Sequence, residues 1–294
     1  MVSRYCPVCN SLMDSGLQTW HWECAECGYE KADLEPAINE MSAHEQIDEG
    51  SREKGLRSLR IENFNKLLQA IVERGPRSGS LLDVGCAHGW FLEAAKKGGF
   101  KVLGIEPDSS VYSATSQRGL PVRQGFFPDV LSINEKFDVI VFNDVFEHIP
   151  DVKAVLAGCR EHLKPGGMLV LNLPNSSGMF YKFARLLCRF GVRSFFERLW
   201  QKGLPSPHLH YFSSKNLKIL LRANGFEVAE AGQLSTVRLK GLFTRVSYTG
   251  DQSLPMRLFV CLAVALALPV IMVMPSDIIY SLSNKTESDG EIVG

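Results

Sequence analysis

The sequence predicts an α/β protein built around a doubly wound, mostly parallel sheet. Three observations predict it: strand segments alternate with helical segments, the strands are apolar without interruption, and the first of them runs into a glycine-containing turn. Uninterrupted apolar strands indicate a sheet that helices cover on both faces, because both sides of every strand are then buried. A Cys-rich segment precedes this region and a hydrophobic segment follows it. The chain of 294 residues therefore predicts one large domain with small additions.

The composition is that of an ordinary globular protein. Lys+Arg and Asp+Glu both number 32, so the formal net charge is zero. A balanced charge does not predict the broad basic surface of proteins that bind nucleic acid, and we expect no nucleic-acid partner. The chain shows no secretory signal at its start and no disulfide-type cysteine pattern, which favours a cytoplasmic location.

The chain is expected to divide into five regions. These are a Cys-rich module, a linker with a lead-in helix, the α/β domain with an insertion that covers the substrate, a hydrophobic segment and a polar tail. Their predicted bounds are 1–34, 35–79, 80–250 (insertion 176–212), 251–280 and 281–294.

Periodicity predicts the individual elements. Apolar residues at helical spacing from Leu56 to Val72 indicate the lead-in helix, which ends at Gly75 and Pro76. The alternation that follows predicts strands joined by right-handed helical crossovers. The predicted strands are Leu81–Val84, Val102–Ile105, Pro121–Arg123, Phe137–Phe142, Met168–Leu173, Phe226–Ala229 and a last one within Val237–Tyr248, and the predicted helices are Phe91–Lys97, Ser109–Arg118, Lys153–Leu163 and Lys215–Ala223.

The strongest functional signal is the turn after the first strand of this domain. Residues Asp83–Gly89 lead from a strand into a helix, with small residues where a backbone can approach a ligand closely. Glu106 ends the next strand, and a carboxylate there can accept both hydroxyls of a ribose. A nicotinamide cofactor would favour Gly-x-Gly-x-x-Gly, which this turn does not supply.

Further motifs follow in order: Phe137-Asp138-Val139-Ile140, Glu147-His148 and Leu163-Lys164-Pro165-Gly166-Gly167. With the turn and Glu106 they resemble the motifs of class I S-adenosylmethionine-dependent methyltransferases. The resemblance covers about Ser80 to Asn175, and more weakly His208 to Val228. It implies a Rossmann-like, seven-stranded sheet whose last strand is antiparallel, with S-adenosylmethionine as the cofactor.

The resemblance also implies which residues bind the cofactor. Two departures from the family pattern stand out: the middle glycine of the turn is Ala87, and the position near Phe126, often acidic, is apolar here. Adenine is then expected to be held by stacking and by backbone amides. The expected contacts are Asp83 and the amides of Gly85, Ala87 and Gly89 at the methionine end, Glu106 at the ribose, Phe126 at the adenine, and Asn143 and Asp144 beside the sulfonium.

The residues after the fourth strand narrow the methyl acceptor. Enzymes that methylate exocyclic amines usually carry an Asn/Asp-Pro-Pro-aromatic turn there, whereas this chain has Asn143-Asp144-Val145-Phe146. The run Glu147-His148-Ile149 resembles O- and C-methyltransferases of small molecules. We therefore predict O-methylation of a small or lipid-linked acceptor of the glycan or quinone type. The alternatives are an RNA methyltransferase whose Cys-rich module contacts RNA, and a non-catalytic binding module that retains the fold.

Three histidines are candidate catalytic residues. An oxygen nucleophile of high pKa needs a base within hydrogen-bond reach, and an imidazole titrates near neutrality. His148 is the first candidate. His208 and His210 are separated by one residue, and alternation places both on one face of an extended segment. The alternative for all three is that they only pack and fix the local structure.

Four cysteines form two Cys-x-x-Cys pairs near the start of the chain: Cys6 and Cys9, then Cys24 and Cys27. Four thiolates at this spacing can close a tetrahedral metal site, which predicts structural zinc. Iron of the rubredoxin type and a redox dithiol are the alternatives. A closed site has no open position, so it predicts folding stability or partner contact, not catalysis.

Two apolar segments bear on membrane contact. Met179–Lys202 combines aromatic residues with six cations and a single acid, which is typical of a basic amphipathic helix on a membrane surface. Packing on the domain, with solvated cations, is the alternative. Leu258–Met274 is an uncharged run broken by Pro269, and it predicts either a surface-dipping anchor or a buried helix. We expect peripheral association with a membrane surface.

Overall fold

A computed structural model describes residues 4–37, 49–237, 242–243 and 253–286. Strands and helices are numbered here in chain order. The strands are β1 (Asp14–Ser15), β2 (His21–Glu23), β3 (Glu30–Ala32), β4 (Gly79–Val84), β5 (Phe100–Glu106), β6 (Val122–Gln124), β7 (Phe137–Asn143), β8 (Leu163–Pro174), β9 (His210–Tyr211), β10 (Phe226–Leu234) and β11 (Ile278–Lys285). The helices are α1 (Glu49–Arg74), α2 (Trp90–Lys97), α3 (Ser109–Gln117), α4 (Val152–His162), α5 (Met179–Arg189), α6 (Ser194–Leu199), α7 (Ser214–Ala223) and α8 (Leu254–Val273), with a 3₁₀ turn at Phe146–His148.

The central sheet has seven strands in the order β10-β11-β8-β7-β4-β5-β6. The pairs from β6 to β8 are parallel, whereas β11 runs antiparallel to both of its neighbours. The predicted doubly wound sheet with an antiparallel last strand is confirmed. The chain moves outward from β4 to β6 and then returns to place β7 beside β4. Such a reversal opens a crevice at the carboxyl ends of the central strands.

The identity of the last strand differs from the prediction. It is β11, not a segment within Val237–Tyr248, most of which lies outside the described residues. The sheet therefore continues past the predicted domain boundary at residue 250 and into the predicted polar tail. Ser281 and Ser283 are buried there, and their hydroxyls lie 3.0 Å apart within hydrogen-bond reach. Two serines that form a hydrogen bond with each other can be buried at little cost. The polar sequence of this segment therefore predicted a tail although the segment forms a buried strand.

Helices cover both faces of the sheet. Along β4, Leu81 and Leu82 point to opposite faces and both are fully buried, as strand alternation requires. On one face Leu81 packs with Phe64 and Leu67 of α1, and on the other Leu82 packs with Leu156 of α4. The central strands are held rigidly from both sides, so the positions of the residues at their carboxyl ends are fixed.

The Cys-rich segment is part of this architecture. Its strands form a second sheet in the order β1-β2-β3-β9, whose last strand comes from the His208–Tyr211 region. Cys6, Cys24 and Tyr29 are buried in the same apolar core as Leu217 of α7. The predicted module at residues 1–34 is therefore continuous with the large domain in its packing.

Helices α5 and α6 lie over the Cys-rich segment, where Tyr181, Phe196 and Trp200 pack around Trp20. Helix α8 connects β10 to β11, and its apolar side chains are largely exposed. Of the two alternatives for this segment, the buried helix is wrong, and the surface-dipping anchor stays a prediction. Among the described residues, no helix is both long enough and apolar enough to span a bilayer.

One carboxylate joins α5 to the end of α8. Asp277, just before β11, accepts hydrogen bonds from the backbone N–H groups of Phe180 (3.2 Å) and Tyr181 (2.8 Å). These donors belong to the first turn of α5, where N–H groups have no partner inside the helix. Asp277 therefore caps α5 from a position almost a hundred residues later in the chain.

We expect Asp277→Ala to lower the free energy of unfolding by about 1 kcal/mol, or the Tm by roughly 2–4 °C, because α5 loses its capping acceptor. Differential scanning calorimetry measures the change. Asp277→Asn keeps one acceptor oxygen and should lose less than half as much. Equal losses in both variants would show that the charge, not the cap, matters.

Candidate active site

The turn between β4 and α2 has left-handed backbone at alternate residues. Gly85, Ala87 and Gly89 have φ values of 69°, 43° and 73°. A Cβ on Gly85 would lie 2.6 Å from Val145 Cγ2, so no side chain fits there. Ala87 occupies a conformation that favours glycine, at a cost of about 1 kcal/mol. Alanine in place of the family's middle glycine is thus accommodated with strain, and the backbone of the turn stays open to a ligand.

Glu106 points towards this turn, as predicted. Its carboxylate accepts hydrogen bonds from the backbone N–H groups of Ala87 and Asp108, both at 2.9 Å. Burial raises the pKa of Glu106 to about 7, although the two N–H donors oppose the shift. Each carboxylate oxygen retains a lone pair for a second donor, such as a hydroxyl group.

Asp83 and Asn143 lie side by side at the ends of β4 and β7. The Asn143 side-chain amide donates to Asp83 Oδ1 at 3.3 Å. Burial, with a smaller contribution from the nearby Glu106, raises the pKa of Asp83 to about 8, although the Asn143 amide donor opposes the shift. Asn143 Oδ1 is buried without a hydrogen-bond partner in the described part of the chain. Two buried carboxyls and an unpartnered acceptor favour a ligand that brings positive charge and N–H donors.

Helix α1 contributes residues that the sequence analysis did not assign. Arg60 Nη2 lies 3.7 Å from Asp144 Oδ2, and the Arg57 guanidinium lies 5.6 Å from the centre of the Trp90 ring. Asp144 itself has φ 54°. The two arginines are three residues apart, a spacing that places them on one helix face and that could have indicated a shared role.

Phe126 lies just beyond β6, whose last residue, Gln124, pairs with Glu106. The Phe126 ring is 56% exposed, whereas Phe127 packs edge-on against Phe142 at 5.7 Å between ring centres. Phe126 therefore follows the strand next to Glu106, and its exposed ring is accessible to a planar ligand.

The most unusual carboxyl near these residues is Glu147, in the 3₁₀ turn that follows β7. Its side chain is fully buried, and neither carboxyl oxygen has a hydrogen-bond partner among the described residues. Burial raises the pKa of Glu147 well above its ordinary value, and the Asp144 charge adds to the effect. Glu147 Oε1 lies 3.9 Å from His148 Nε2 and 4.0 Å from His208 Nε2.

The two imidazoles are held by separate contacts. His148 Nδ1 lies 2.8 Å from the Pro207 carbonyl oxygen, which requires a proton on Nδ1 and leaves Nε2 as the acceptor nitrogen of the neutral ring. His208 Nε2 lies 2.8 Å from Gln201 Nε2, and the ring centres of His148 and His208 are 4.8 Å apart. The loop after α6 thus brings a second histidine against the Glu147–His148 pair.

His210 has a structural role, so the expectation that it acts on the acceptor is wrong. It is buried, with Nδ1 bonded to the Tyr29 hydroxyl and Nε2 donating to the Ile149 carbonyl at 2.8 Å. Burial lowers its pKa to about 4. A ring with both nitrogens occupied cannot take a proton from a substrate. Strand alternation was correct for the backbone, but the two histidines contact different neighbours.

The four N-terminal cysteines converge. Cys6 and Cys27 Sγ lie 3.5 Å apart, Cys9 and Cys24 Sγ lie 3.4 Å apart, and all four sulfurs are within 4.8 Å of one another. A tetrahedral zinc site with bonds of about 2.3 Å has sulfur–sulfur edges of roughly 3.8 Å. The predicted ligands are therefore assembled in a geometry that fits a metal.

A protein-family model described as a methyltransferase domain matches residues 56–231. The chain belongs to this family. The match contains the glycine turn, Glu106 and the Glu147–His148 pair, and it ends within β10.

Curated relatives match over shorter stretches. The ubiquinone biosynthesis O-methyltransferase of Paramagnetospirillum magneticum is 41% identical over 96 residues, which are 31% of this chain and 39% of the relative. The enzyme of the same description from Cereibacter sphaeroides (strain ATCC 17025) is 32% identical over 110 residues, 35% of this chain and 44% of the relative. The chain spans about half of the length of such relatives, or less.

Solved structures share the fold. The complex between the Trm112 methyltransferase activator and a methyltransferase from Haloferax volcanii matches with TM-score 0.59 and 14% identity, over 85% of this chain and 100% of that one. A SAM-dependent methyltransferase of Thermotoga maritima matches with TM-score 0.53 and 17% identity, over 83% and 97%. At these identities the likeness supports the fold alone.

Proposed function

We propose that this protein transfers a methyl group from S-adenosylmethionine to an oxygen of a small, quinone-type acceptor. The observation that carries the proposal is Glu147. Among the described residues, this fully buried carboxyl has no hydrogen-bond partner, although His148 and His208 lie within 4.0 Å of it, and such burial is costly unless a ligand supplies a donor. A hydroxyl group that must lose its proton is such a ligand.

The crevice suits S-adenosylmethionine because the cofactor carries a sulfonium and an ammonium group. Asp83 and Asn143 would receive the ammonium end, with the backbone of Gly85–Gly89 close to the methionine. Glu106 would accept the ribose hydroxyls, and Phe126 would stack on adenine. When bound, the cofactor supplies the electrophilic methyl group, and the positive charge of its sulfonium is lost on transfer.

We expect cofactor affinity to rise with pH up to about 8. In the free protein the pKa values of Asp83 and Glu106 are raised to about 8 and about 7. A cationic ligand favours the ionised carboxylates, so binding lowers both values and releases protons. Affinity then increases by up to about tenfold per pH unit for each proton released, and levels off above the free-protein values.

Isothermal titration calorimetry at about pH 6, 7 and 8.5, in two buffers of different protonation enthalpy, counts the protons. Asp83→Asn serves as the control, because it removes the Asp83 contribution and should flatten the dependence between about pH 7 and 8. Equal affinities for the wild-type protein across this range would contradict the assignment of Asp83 to the cofactor site.

The acceptor chemistry needs little beyond orientation and a base. Neutral His148 would take the hydroxyl proton at Nε2, which would leave the acceptor oxygen as a nucleophile for the methyl group that the bound cofactor supplies. A positive charge on His148 would favour the ionised form of Glu147, and the two opposite charges would then stabilise each other. The Pro207 carbonyl would hold the ring by accepting a hydrogen bond from Nδ1. His208 would close the site against water from the other side.

We expect His148→Ala to lower kcat roughly 10²–10⁴-fold while cofactor Kd changes less than about twofold, because the base acts on the acceptor alone. His148→Gln can still donate to Pro207 but cannot take a proton, so it should be as inactive as the alanine variant. Turnover is measured with a prenylated catechol. Wild-type kcat in either variant would exclude His148 as the base.

Glu147, His148 and His208 could also bind a divalent cation, because their ligand atoms lie within 4.8 Å of one another. Two imidazoles and one carboxylate suit Fe²⁺ or Ni²⁺ better than Mg²⁺. Turnover that survives chelation, and that added Fe²⁺ or Ni²⁺ does not increase, would show that His148 acts as a base without a cation.

A quinone-type acceptor is supported by the names of the curated relatives and by an exposed apolar surface. We define the membrane face as the exposed apolar and basic side chains of α5, α6 and the turn between them. They are Lys182, Phe183, Leu186, Arg189, Phe190, Val192, Arg193, Phe195 and Arg198. Aromatic rings interleaved with cations suit the headgroup region of an anionic bilayer.

Arg185 is not part of the membrane face, although the sequence placed it among these cations. It forms salt bridges with Glu23 and Glu30 of the Cys-rich segment. Helix α8 adds further exposed apolar residues, including Phe259 and Leu266, and its end meets the start of α5, where the Met179 N–H donates to the Pro275 carbonyl at 3.0 Å. We propose that both elements contact the bilayer from which a lipid-linked acceptor enters.

We expect the full chain to float with phosphatidylglycerol vesicles and to float less with phosphatidylcholine vesicles. Salt at about 1 M should release it, because screening weakens the attraction between the basic side chains and the anionic lipid. Phe183→Ser combined with Phe190→Ser should reduce flotation several-fold. Ile133→Ser, at a residue 69% exposed and outside this face, is the matched control. Unchanged flotation of the double variant would exclude the membrane face.

We also propose that the four N-terminal cysteines hold a structural zinc ion. The convergence of their sulfurs supports it, and elemental analysis of the purified protein distinguishes zinc from iron.

A further inference from the structure

The Cys-rich segment and the candidate base are joined by backbone hydrogen bonds. Strand β3 pairs antiparallel with β9, with Glu30 opposite Tyr211 and Lys31 opposite His210. The Ala32 N–H donates to the Leu209 carbonyl at 2.9 Å, and the Leu209 N–H donates to the Glu147 carbonyl at 2.8 Å. Leu209 is therefore held between the two regions by both of its peptide groups.

Side chains reinforce the same junction. Glu30 is 5% exposed and lies 2.9 Å from His21 Nε2, and it accepts a hydrogen bond from the Tyr181 hydroxyl at 2.6 Å. Arg185 neutralises it through a salt bridge. A buried charge is costly when one of its partners moves away, so this network opposes the separation of β3 from α5.

Two side-chain hydrogen bonds join the last cysteine, and the residues just after it, to α7 and β9. The Cys27 carbonyl accepts a hydrogen bond from the Asn216 side chain at 3.3 Å, and Asn216 also forms the capping box of α7 with Ser213. Tyr29, two residues after Cys27, bonds to His210. The position of β9 thus depends on the path of the chain immediately after the last cysteine.

Strands this short do not order themselves. β3 has three residues and β9 has two, far fewer than an independently stable pairing needs. Closing four thiolates on a metal orders the segment that precedes β3, since the free energy of metal binding in such modules is also free energy of folding.

We propose that the Cys-rich segment is a positioning element of the active site. With its four cysteines closed on a metal ion, β3 holds Leu209 against Glu147, and this fixes His208 beside the Glu147–His148 pair. Tyr29, Glu30 and Ala32 are positioning residues, because they act on the acceptor side through β9. The role goes beyond the general stability expected of a closed metal site, and it does not depend on the identity of the acceptor.

Hydrogen exchange of the full chain, followed by mass spectrometry, tests the proposal before and after zinc is removed with a membrane-permeable chelator. We expect exchange in peptides covering 207–212 to accelerate at least about tenfold, while peptides of β4 and β8 keep their protection and cofactor affinity changes less than about twofold. Unchanged protection at 207–212 would overturn the proposal. Simultaneous loss of protection in β4 and β8 would also overturn it, because it would indicate general destabilisation.

A variant that leaves the thiols in place gives a second test. Tyr29→Phe removes the hydroxyl bonded to His210, so we expect full metal content, faster exchange at 207–212 and a lower kcat with unchanged cofactor Kd. Tyr5→Phe, in the same segment at a ring 59% exposed, is the matched control. Wild-type exchange at 207–212 in Tyr29→Phe would contradict the proposal even if the methyltransferase assignment holds, because exchange is measured without substrate.

Discussion

The site depends on how tightly the central strands are buried. β4 lies between β5 and β7, with Leu81 and Leu82 fully buried on its two faces. This packing places Asp83, Glu106 and Asn143 at one edge of the sheet, where little water reaches them. Removal from water, more than any single charge, raises the pKa values of both carboxyls.

Burying these carboxyl groups costs free energy, and hydrogen bonds within the protein offset only part of it. Asp83 has one amide donor, Glu106 has two backbone donors, and Glu147 has none among the described residues. The cost is recovered when ligands bring positive charge and donors to the crevice. Hydrogen-bond donors are thus present on the proposed cofactor side and, within the described residues, missing at Glu147 on the proposed acceptor side.

The acceptor side is assembled from parts of the chain that are far apart. The turn after β7 supplies Glu147 and His148, the loop after α6 supplies His208, and the Cys-rich segment supplies the strand that aligns this loop. Helix α5 is in turn capped by Asp277, near the end of the described chain. Segments far from the central strands in sequence therefore pack against the residues of the candidate site.

The sequence was sufficient for features with a local signature. The period of apolar residues predicted the strands and helices from Leu81 to Ala229, and the glycine motif predicted a tight strand-to-helix turn, because both signals arise within a few residues of chain. The Cys-x-x-Cys spacing likewise predicted the convergence of four sulfurs.

Only the tertiary structure could decide the features that depend on distant pairing. The last strand is β11, which contains the buried Ser281 and Ser283 and pairs with β8 and β10; these long-range pairings are not visible in the periodicity of the sequence. His208 and His210 looked equivalent, yet one lies beside Glu147 and the other is sealed against Tyr29 and Ile149. Whether a histidine can accept a proton from a substrate or only stabilises the fold depends on its neighbours, and long-range packing determines those neighbours.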